Sequence, residues 1–541
     1  MPVPDLVLAK APAEKDLAAS AHGREVDEAG VDVLHHRAEV LDLLHGADDL
    51  AREPLDLASS LRELGRVDTA SIARDRRQEL PLPALRVGEL LPRRDHSLGE
   101  RAHLCQCGVR LLGREGARPH ASMIPAIVGA GQRLLARRAA QVELPPEGAP
   151  NPALGIFLWS RGAIWLAALL AWLTFEPNHH PRFHRWDRPW LHDSGWVVDV
   201  WGRWDSAWLL RVAIHGYSDA KRTAAFFPLY PGLVAGLGRV LLGHYVLAGV
   251  LVSLAACYGS FLLLHRIAEE RLGADGARRA LLYLALFPMS LFLQAAYTES
   301  LFLLLTLLAF FLAERGRFAG AGLSAGLAIL TRAAGVALLP ALVLLAWRSR
   351  DRGRAVAGLA LAPLSFLVYP LVLWQQRGEP FAFLHAELDP TWARHFSWAG
   401  PFGGLWDGAR AAVAGVRQLV AGPGGHVYWP VRDTTPMRVA ALNLELFGFL
   451  ALFLVLTVIV WRRFGSVYGL FCATSLAIPL SMPSHRWPLL SLPRFGLVVF
   501  PFFLALAVLG GRPRVHTAIV GVSALFLGIA VAQWALWQWV A

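Results

Sequence analysis

The sequence predicts an all-α polytopic membrane protein, a bundle of about ten to twelve transmembrane helices with two long extracytoplasmic loops. Three observations carry this expectation. Hydrophobic residues make up 55% of the 541-residue chain and charged ones only 17%, at a mean hydropathy of +0.42, whereas soluble chains carry about 25% charge. The apolar residues stand in runs of up to about 20, the length that crosses a ~30 Å hydrocarbon core. Between the runs lie short turns rich in arginine.

Residues 1–150 are of a different kind. They hold 20 basic and 23 acidic residues, against 32 and 18 in the remainder. No run in them is long enough to span, and no basic–apolar–small layout of a signal peptide is present. Stretches such as Val33–Leu50 have amphipathic character but are broken by Pro, Gly and charge. The expectation is a poorly ordered leader, produced by an upstream start codon, with a soluble regulatory domain as the alternative; no function is assigned to it. Cys105, Cys107, Cys257 and Cys472 are too few and too scattered for a disulfide framework, and the Cys105–Cys107 spacing fits no common zinc pattern.

From Gly155 the composition changes abruptly, so residues 151–541 are expected to form the membrane domain. Apolar runs follow at 156–175, 226–243, 245–264, 280–296, 301–313, 319–330, 336–347, 355–374, 440–461, 467–480, 495–509 and 517–537. Several are shorter than a full span, which predicts broken or tilted helices among the crossings. The turns Glu314–Arg317, Arg348–Arg354, Arg462–Arg463 and Arg512–Arg514 are placed in the cytoplasm by their positive charge. That puts the long loops 176–225 and 375–438 outside. The Arg266–Arg279 turn is basic too, but two runs separate it from Ala225 and an odd number of crossings is needed. Either one of the two is re-entrant or this turn departs from the rule. The net charge of +11 is explained by such turns without nucleic acid.

Ionisable groups beside hydrocarbon are costly and mark candidate sites. Asp205 lies in Trp201-Gly-Arg-Trp-Asp-Ser-Ala-Trp208, with aromatics and aliphatics at the spacing of an interfacial helix. It reads equally as a general base and as a capping or snorkelling carboxylate. Glu299, in Tyr297-Thr-Glu-Ser300, is explained adequately as a first-turn acid behind a Thr298 cap. Arg494 follows Leu492-Pro493, with His485 and Arg486 upstream, and Arg332 lies in Leu330-Thr-Arg332. An arginine grips phosphate oxygens as a bidentate fork, and equally snorkels to lipid phosphate. His179, His180 and His184 have no carboxylate at ligand spacing, and Pro181 breaks any helical arrangement, so a solvated loop is expected there and no metal site is assigned. No Walker loop, GxGxxG after a strand or HExxH on a helix is present.

Taken in order, Trp204-Asp205 with Gly216-Tyr217, Phe226-Phe-Pro-Leu-Tyr-Pro231, Phe287-Pro288 with Tyr297-Thr-Glu-Ser-Leu-Phe302, Leu330-Thr-Arg332 with Gly335, and Leu492-Pro-Arg-Phe495 resemble the PIG-V mannosyltransferase family. The likeness covers about residues 151–541, and Phe495 stands where Tyr is expected. The resemblance implies a GT-C-type bundle with its active site at the outer face. It implies a polyprenyl- or dolichyl-phosphate-mannose donor and a glycolipid or glycan acceptor, with no cofactor firmly required. It carries over to Asp205 alone, as the base; the chemistry of the residues adds Arg494 and Arg332 as donor-phosphate contacts, with Trp204, Tyr297, Glu299 and Arg486 as supporting groups. Its expected place is a bacterial plasma membrane, or the endoplasmic reticulum membrane in a eukaryote. Transfer of another lipid-linked sugar, such as arabinose or glucose, is the rival within enzymes. A glycolipid flippase is the rival outside them, and the sequence lacks the matched, broken half-repeats expected of transporters.

Overall fold

Apolar runs in a solvent without hydrogen-bond partners must close their own backbone bonds, and helices do this locally. The computed structural model describes residues 152–178, 189–218, 220–389, 392–425 and 435–540. No strand occurs among them, only one isolated bridge between Arg394 and Ser484. The leader, Cys105, Cys107 and the stretch His179–His184 lie outside the described residues.

The helices are α1 (Pro152–Thr174), α2 (Asp205–His215), α3 (Leu229–Val240), α4 (Tyr245–Leu286), α5 (Glu299–Glu314), α6 (Phe318–Thr331), α7 (Leu338–Trp347), α8 (Arg352–Arg377), α9 (Pro401–Ala421), α10 (Pro436–Phe464), α11 (Ser466–Ser481), α12 (Leu492–Leu497), α13 (Pro501–Leu509) and α14 (Pro513–Ala535). Five of them are long and apolar enough to cross a membrane, namely α1, α4, α8, α10 and α14. The rest are shorter apolar helices, as the clipped runs predict. The chain is therefore an all-α integral membrane protein. On α1, Ala153, Ile164, Ala168 and Ala171 face inward while Leu158, Trp159, Leu166 and Leu170 are exposed. Such small-inside, large-outside patterning suits a helix that packs on neighbours and faces lipid.

Two of the expected runs merge differently from the sequence reading. Residues 245–264 and 280–296 enter one element, α4, broken at Gly273 (φ 73°, ψ 178°). That conformation is essentially open to glycine alone, so the chain reverses without a loop. The first limb, to about Leu272, measures roughly 42 Å, while α3 at 12 residues measures roughly 18 Å and cannot cross. One full-length crossing, the first limb of α4, therefore lies between the Arg266–Arg279 turn and the 189–225 segment, which fits the re-entrant alternative for the 226–243 run.

Side-chain contacts confirm which turns share an end. Arg271 pairs with Glu314, Arg315 pairs with Glu270, and the Tyr468 hydroxyl donates to Glu314 Oε1 at 2.8 Å. Arg348 donates to Ser466 Oγ at 2.8 Å, Arg279 to the Ala507 carbonyl at 3.1 Å, and Tyr283 meets His516 Nδ1 at 2.8 Å. All five basic turns thus gather at one end of the bundle. At the start of α4, the Tyr245 N–H donates to Asp193 Oδ2 at 3.2 Å and His244 meets Ser194 at 3.0 Å. The first long loop therefore sits at the opposite end. A buried arginine, Arg161 of α1, donates to the carbonyls of Ser290 (2.8 Å) and Ala285 (3.2 Å). It secures the frayed end of α4 and the 287–298 segment that leads into the site.

Candidate active site

The site begins at a backbone irregularity. Trp204 has φ 50° and ψ −112°, a conformation that costs a non-glycine residue roughly 1–3 kcal/mol. Its indole is anchored among Trp534, Trp537 and Trp539, with ring centroids 4.7–6.0 Å away. On either side of it, the Asp205 N–H donates to the Tyr297 hydroxyl (3.1 Å), and that hydroxyl donates to the Arg203 carbonyl (3.0 Å). Ser206 Oγ donates to the Ala296 carbonyl (3.0 Å), and the Ala296 N–H to the Trp201 carbonyl (2.9 Å). The 287–298 segment thus splints the turn and fixes Asp205 as the first residue of α2. A carboxylate there is favoured by the helix dipole. The helix is not the surface element the sequence suggests, since Ser206, Leu209, Leu210 and Ala213 are buried.

Glu299 opens α5 in the same way, but Thr298 makes no side-chain cap bond. The capping explanation of Glu299 therefore fails. Its side chain is 1% exposed, and Oε1 lies 2.9 Å from Arg332 Nη1 and 3.1 Å from Arg494 Nε. Arg494 in turn donates through Nη1 to Asp205 Oδ2 at 2.8 Å. The outer members are partly accessible, at 24% for Asp205, 13% for Arg494 and 15% for Arg332. Glu299 is thus the buried hub of a four-residue cluster. Buried charges persist only when paired in this manner.

Local sequence explains how the arginines arrive. Arg332 ends α6 in extended backbone (φ −165°), and a Cβ at Gly335 would meet the Ile329 backbone nitrogen at 2.6 Å. Only glycine lets the chain fold back there and leave Arg332 aimed inward. Arg494 sits on the six-residue α12, entered through Ser491 at φ 65°. A left-handed non-glycine residue therefore precedes both Asp205's helix, at Trp204, and Arg494's helix.

Two further charged residues approach the cluster, and sequence reasoning missed both. Arg394 and Glu387 come from the second long loop. The guanidinium carbons of Arg332, Arg394 and Arg494 lie 5.2, 5.7 and 5.9 Å from the centroid of one ring, Phe495. Burial pushes the Glu387 carboxyl above its ordinary range, against the opposing pull of Arg394 and Arg332. The neighbouring His395 stacks on His485, centroids 4.0 Å apart. Burial first, and His485 second, lower its pKa. The sequence offers no signal for Arg394, since the loop 375–438 holds six arginines. Arg486 is exposed, on the turn beside His485. The larger recess, about 460 Å³ and lined by His215, Arg239 and Gln376 among others, lies at the far end of α2 from Asp205.

These features define an integral membrane protein with a desolvated carboxylate–arginine cluster at the end opposite its basic turns. Residues 193–346, which carry Asp205, Tyr297, Glu299 and Arg332, match the model of the mannosyltransferase (PIG-V) family. The chain is 34% identical over 158 residues to human GPI alpha-1,6-mannosyltransferase 2, covering 26% of this chain and 31% of that protein. It is 33% identical over 212 residues to the rat protein of the same name, covering 36% of this chain and 41% of the relative. The chain thus spans less than half the length of the curated relatives it matches. Among solved structures, ArnT from Cupriavidus metallidurans bound to undecaprenyl phosphate aligns over 70% of this chain and 77% of its own, at 16% identity and TM-score 0.30. The Archaeoglobus fulgidus oligosaccharyltransferase tethered with an acceptor peptide aligns over 70% and 55%, at 14% identity and TM-score 0.34.

Proposed function

We propose that this chain is a GT-C-type mannosyltransferase, moving mannose from a polyprenyl- or dolichyl-phosphate-mannose to a hydroxyl of a glycolipid or glycan at the non-cytoplasmic face. The observation that carries the reading is the Asp205–Arg494 contact of 2.8 Å beside the Glu299–Arg332 pair. It joins one accessible carboxylate to phosphate-binding cations in a single desolvated site.

The reaction needs little more. The acceptor oxygen attacks the anomeric carbon, its bond to that carbon forms, and its proton passes to an Asp205 oxygen. The bond from the anomeric carbon to the phosphate oxygen breaks, and its electron pair stays on the phosphate. A phosphate is a good leaving group, so it requires cations and no general acid. Glycoside hydrolysis, by contrast, employs two carboxylates. Arg494 and Arg332 receive the phosphate. As the donor enters, it competes with Asp205 for Arg494, which frees a carboxylate oxygen for the proton. Trp204 and Tyr297 position Asp205, and Glu299 holds the two arginines apart from one another's charge.

The family segment favours mannose over other lipid-linked sugars, and the buried acid–arginine geometry favours transfer over flipping. The test is turnover of radiolabelled polyprenyl-phosphate-mannose by purified protein, comparing wild type with Asp205→Asn. The variant keeps shape and loses the proton acceptor, so turnover is expected to fall about 10²–10⁴-fold at unchanged protein level. Full turnover by the variant removes Asp205 from the role of base and moves the flippase reading ahead.

A further inference from the structure

Arg332 and Arg494 already have carboxylate oxygens at 2.8–3.1 Å. Arg394 differs: among the described residues it has no ion pair within 4.0 Å, although it shares the Phe495 ring with the other two. Its guanidinium therefore keeps its full fork of donors available to a ligand.

The segment that carries it is also held firmly. Arg394 bridges Ser484 in antiparallel fashion. The His395 N–H donates to the Pro483 carbonyl (3.1 Å), the His485 N–H to the Ala393 carbonyl (2.7 Å), and the Ser397 N–H to the Ser481 carbonyl (2.9 Å). These bonds tie the second long loop to the turn that leads into α12 and Arg494. A surface arginine that merely snorkels needs no such ladder. Beside Arg394, between Pro479, Met482, Ser484 and Leu489, lies a cavity of about 10 Å³, room for about one water molecule.

Charge counting sets the ligand's class. Of the three guanidiniums on Phe495, two pair tightly with Asp205 and Glu299, while Glu387 pulls on Arg394 without an ion pair within 4.0 Å, which leaves one guanidinium with no tight partner among the described residues. A lipid phosphodiester carries one negative charge, and the phosphomonoester left after sugar departure carries about −1.5 to −2 at pH 7.

We propose that Arg394 is the third phosphate-binding residue of this site and contacts the lipid phosphate most strongly as it becomes a monoester. The inference rests on the transferase reading above. An unpaired cation placed where charge develops favours the late phosphate over the early one, which is how binding is turned into rate.

The probe is undecaprenyl phosphate without sugar, bound to the purified full chain in nanodiscs and read by native mass spectrometry. Arg394→Gln is expected to weaken binding about 10- to 100-fold, the loss of a charge-assisted hydrogen bond, and Arg394→Lys to restore part of it. Melting temperature reports whether each variant is folded, and the lysine variant stands in where the glutamine variant is not. If excess inorganic phosphate displaces the lipid, the site reads the phosphate alone; if it does not, the site reads the lipid headgroup, and Arg394 is its ligand in either case. Wild-type affinity in a folded Arg394→Gln protein overturns the assignment while leaving the transferase reading intact. Absence of both undecaprenyl phosphate binding and mannose transfer in wild type overturns the two together.

Discussion

The two ends of this bundle are built from the same materials, arginines paired with carboxylates, and they use them differently. At the basic end, the turns 266–279, 314–317, 348–354, 462–463 and 512–514 hold fourteen arginines against five carboxylates. The Arg315–Glu270 pair there is 34% and 48% exposed. At the other end, three arginines share the Phe495 ring, Asp205, Glu299 and Glu387 oppose them, and the hub, Glu299, has almost no exposure. Excess charge in water orients a membrane protein and holds little together. Near-balanced charge out of water is costly to assemble and more costly to break. Residue type alone does not separate an orienting arginine from a working one; depth and pairing do.

The comparison breaks most sharply on topology, where the expected effect is all-or-none. With Cys105 and Cys107 changed to serine, the native thiols left are Cys257 and Cys472, both buried. Gly424→Cys, in the second long loop, should then react with an impermeant thiol reagent on intact cells. Arg350→Cys, in a basic turn, should react only after lysis. The reverse pattern would invert the protein and leave the cluster facing the cytoplasm.

A stability measurement sharpens the contrast in desolvation. Glu299→Ala strands Arg332 and Arg494 without their shared oxygen, and removing one partner of a buried pair costs about 3–5 kcal/mol. Loss of folded protein, read as a fall in melting temperature in detergent, is expected together with loss of activity. A wild-type melting temperature would mean that water already reaches Glu299.

Glu314→Gln gives the smallest effect. Its pair with Arg271 is partly exposed on both sides, so about 1 kcal/mol is expected, with turnover per folded molecule unchanged. A drop in turnover at normal abundance would show that the basic end contributes to chemistry as well as orientation.

Much of this was legible beforehand. The composition predicts the helical membrane class, and the apolar runs give α1, α10 and α14 to within four residues at each end. Asp205, Glu299, Arg332 and Arg494 stand out by charge in an apolar setting and Tyr297 by the motif that carries the resemblance, and the structure brings the five together. Their partnership was not legible, because Asp205 and Arg494 are 289 residues apart and nothing local encodes a contact at that range. Thr298 shows the opposite failure, a plausible cap set aside because Glu299 is claimed by two arginines. Arg394 escaped because residues around it, Thr391-Trp-Ala-Arg-His-Phe-Ser397, have no period to place it. Its position comes from backbone bonds to a turn some ninety residues onward. The parity of the 226–296 region stayed open because hydropathy does not distinguish an 18 Å helix from a span when the turns beside it are apolar as well.

The separation of Asp205 from Arg494 also bears on how the protein is made. At about 5–20 residues per second, those 289 residues take roughly 15–60 s to synthesise. Asp205 waits through all of it, and Glu299 and Arg332 through its later part, before the cation that joins the two carboxylates exists. A nascent chain in lipid cannot carry unpaired charges deep for so long. Their location fits that constraint: Asp205 and Glu299 each open a helix and Arg332 closes one, so all three can wait at the water's edge. Later crossings then bring Arg494 and the three tryptophans Trp534, Trp537 and Trp539, and the centre is completed only once they are made.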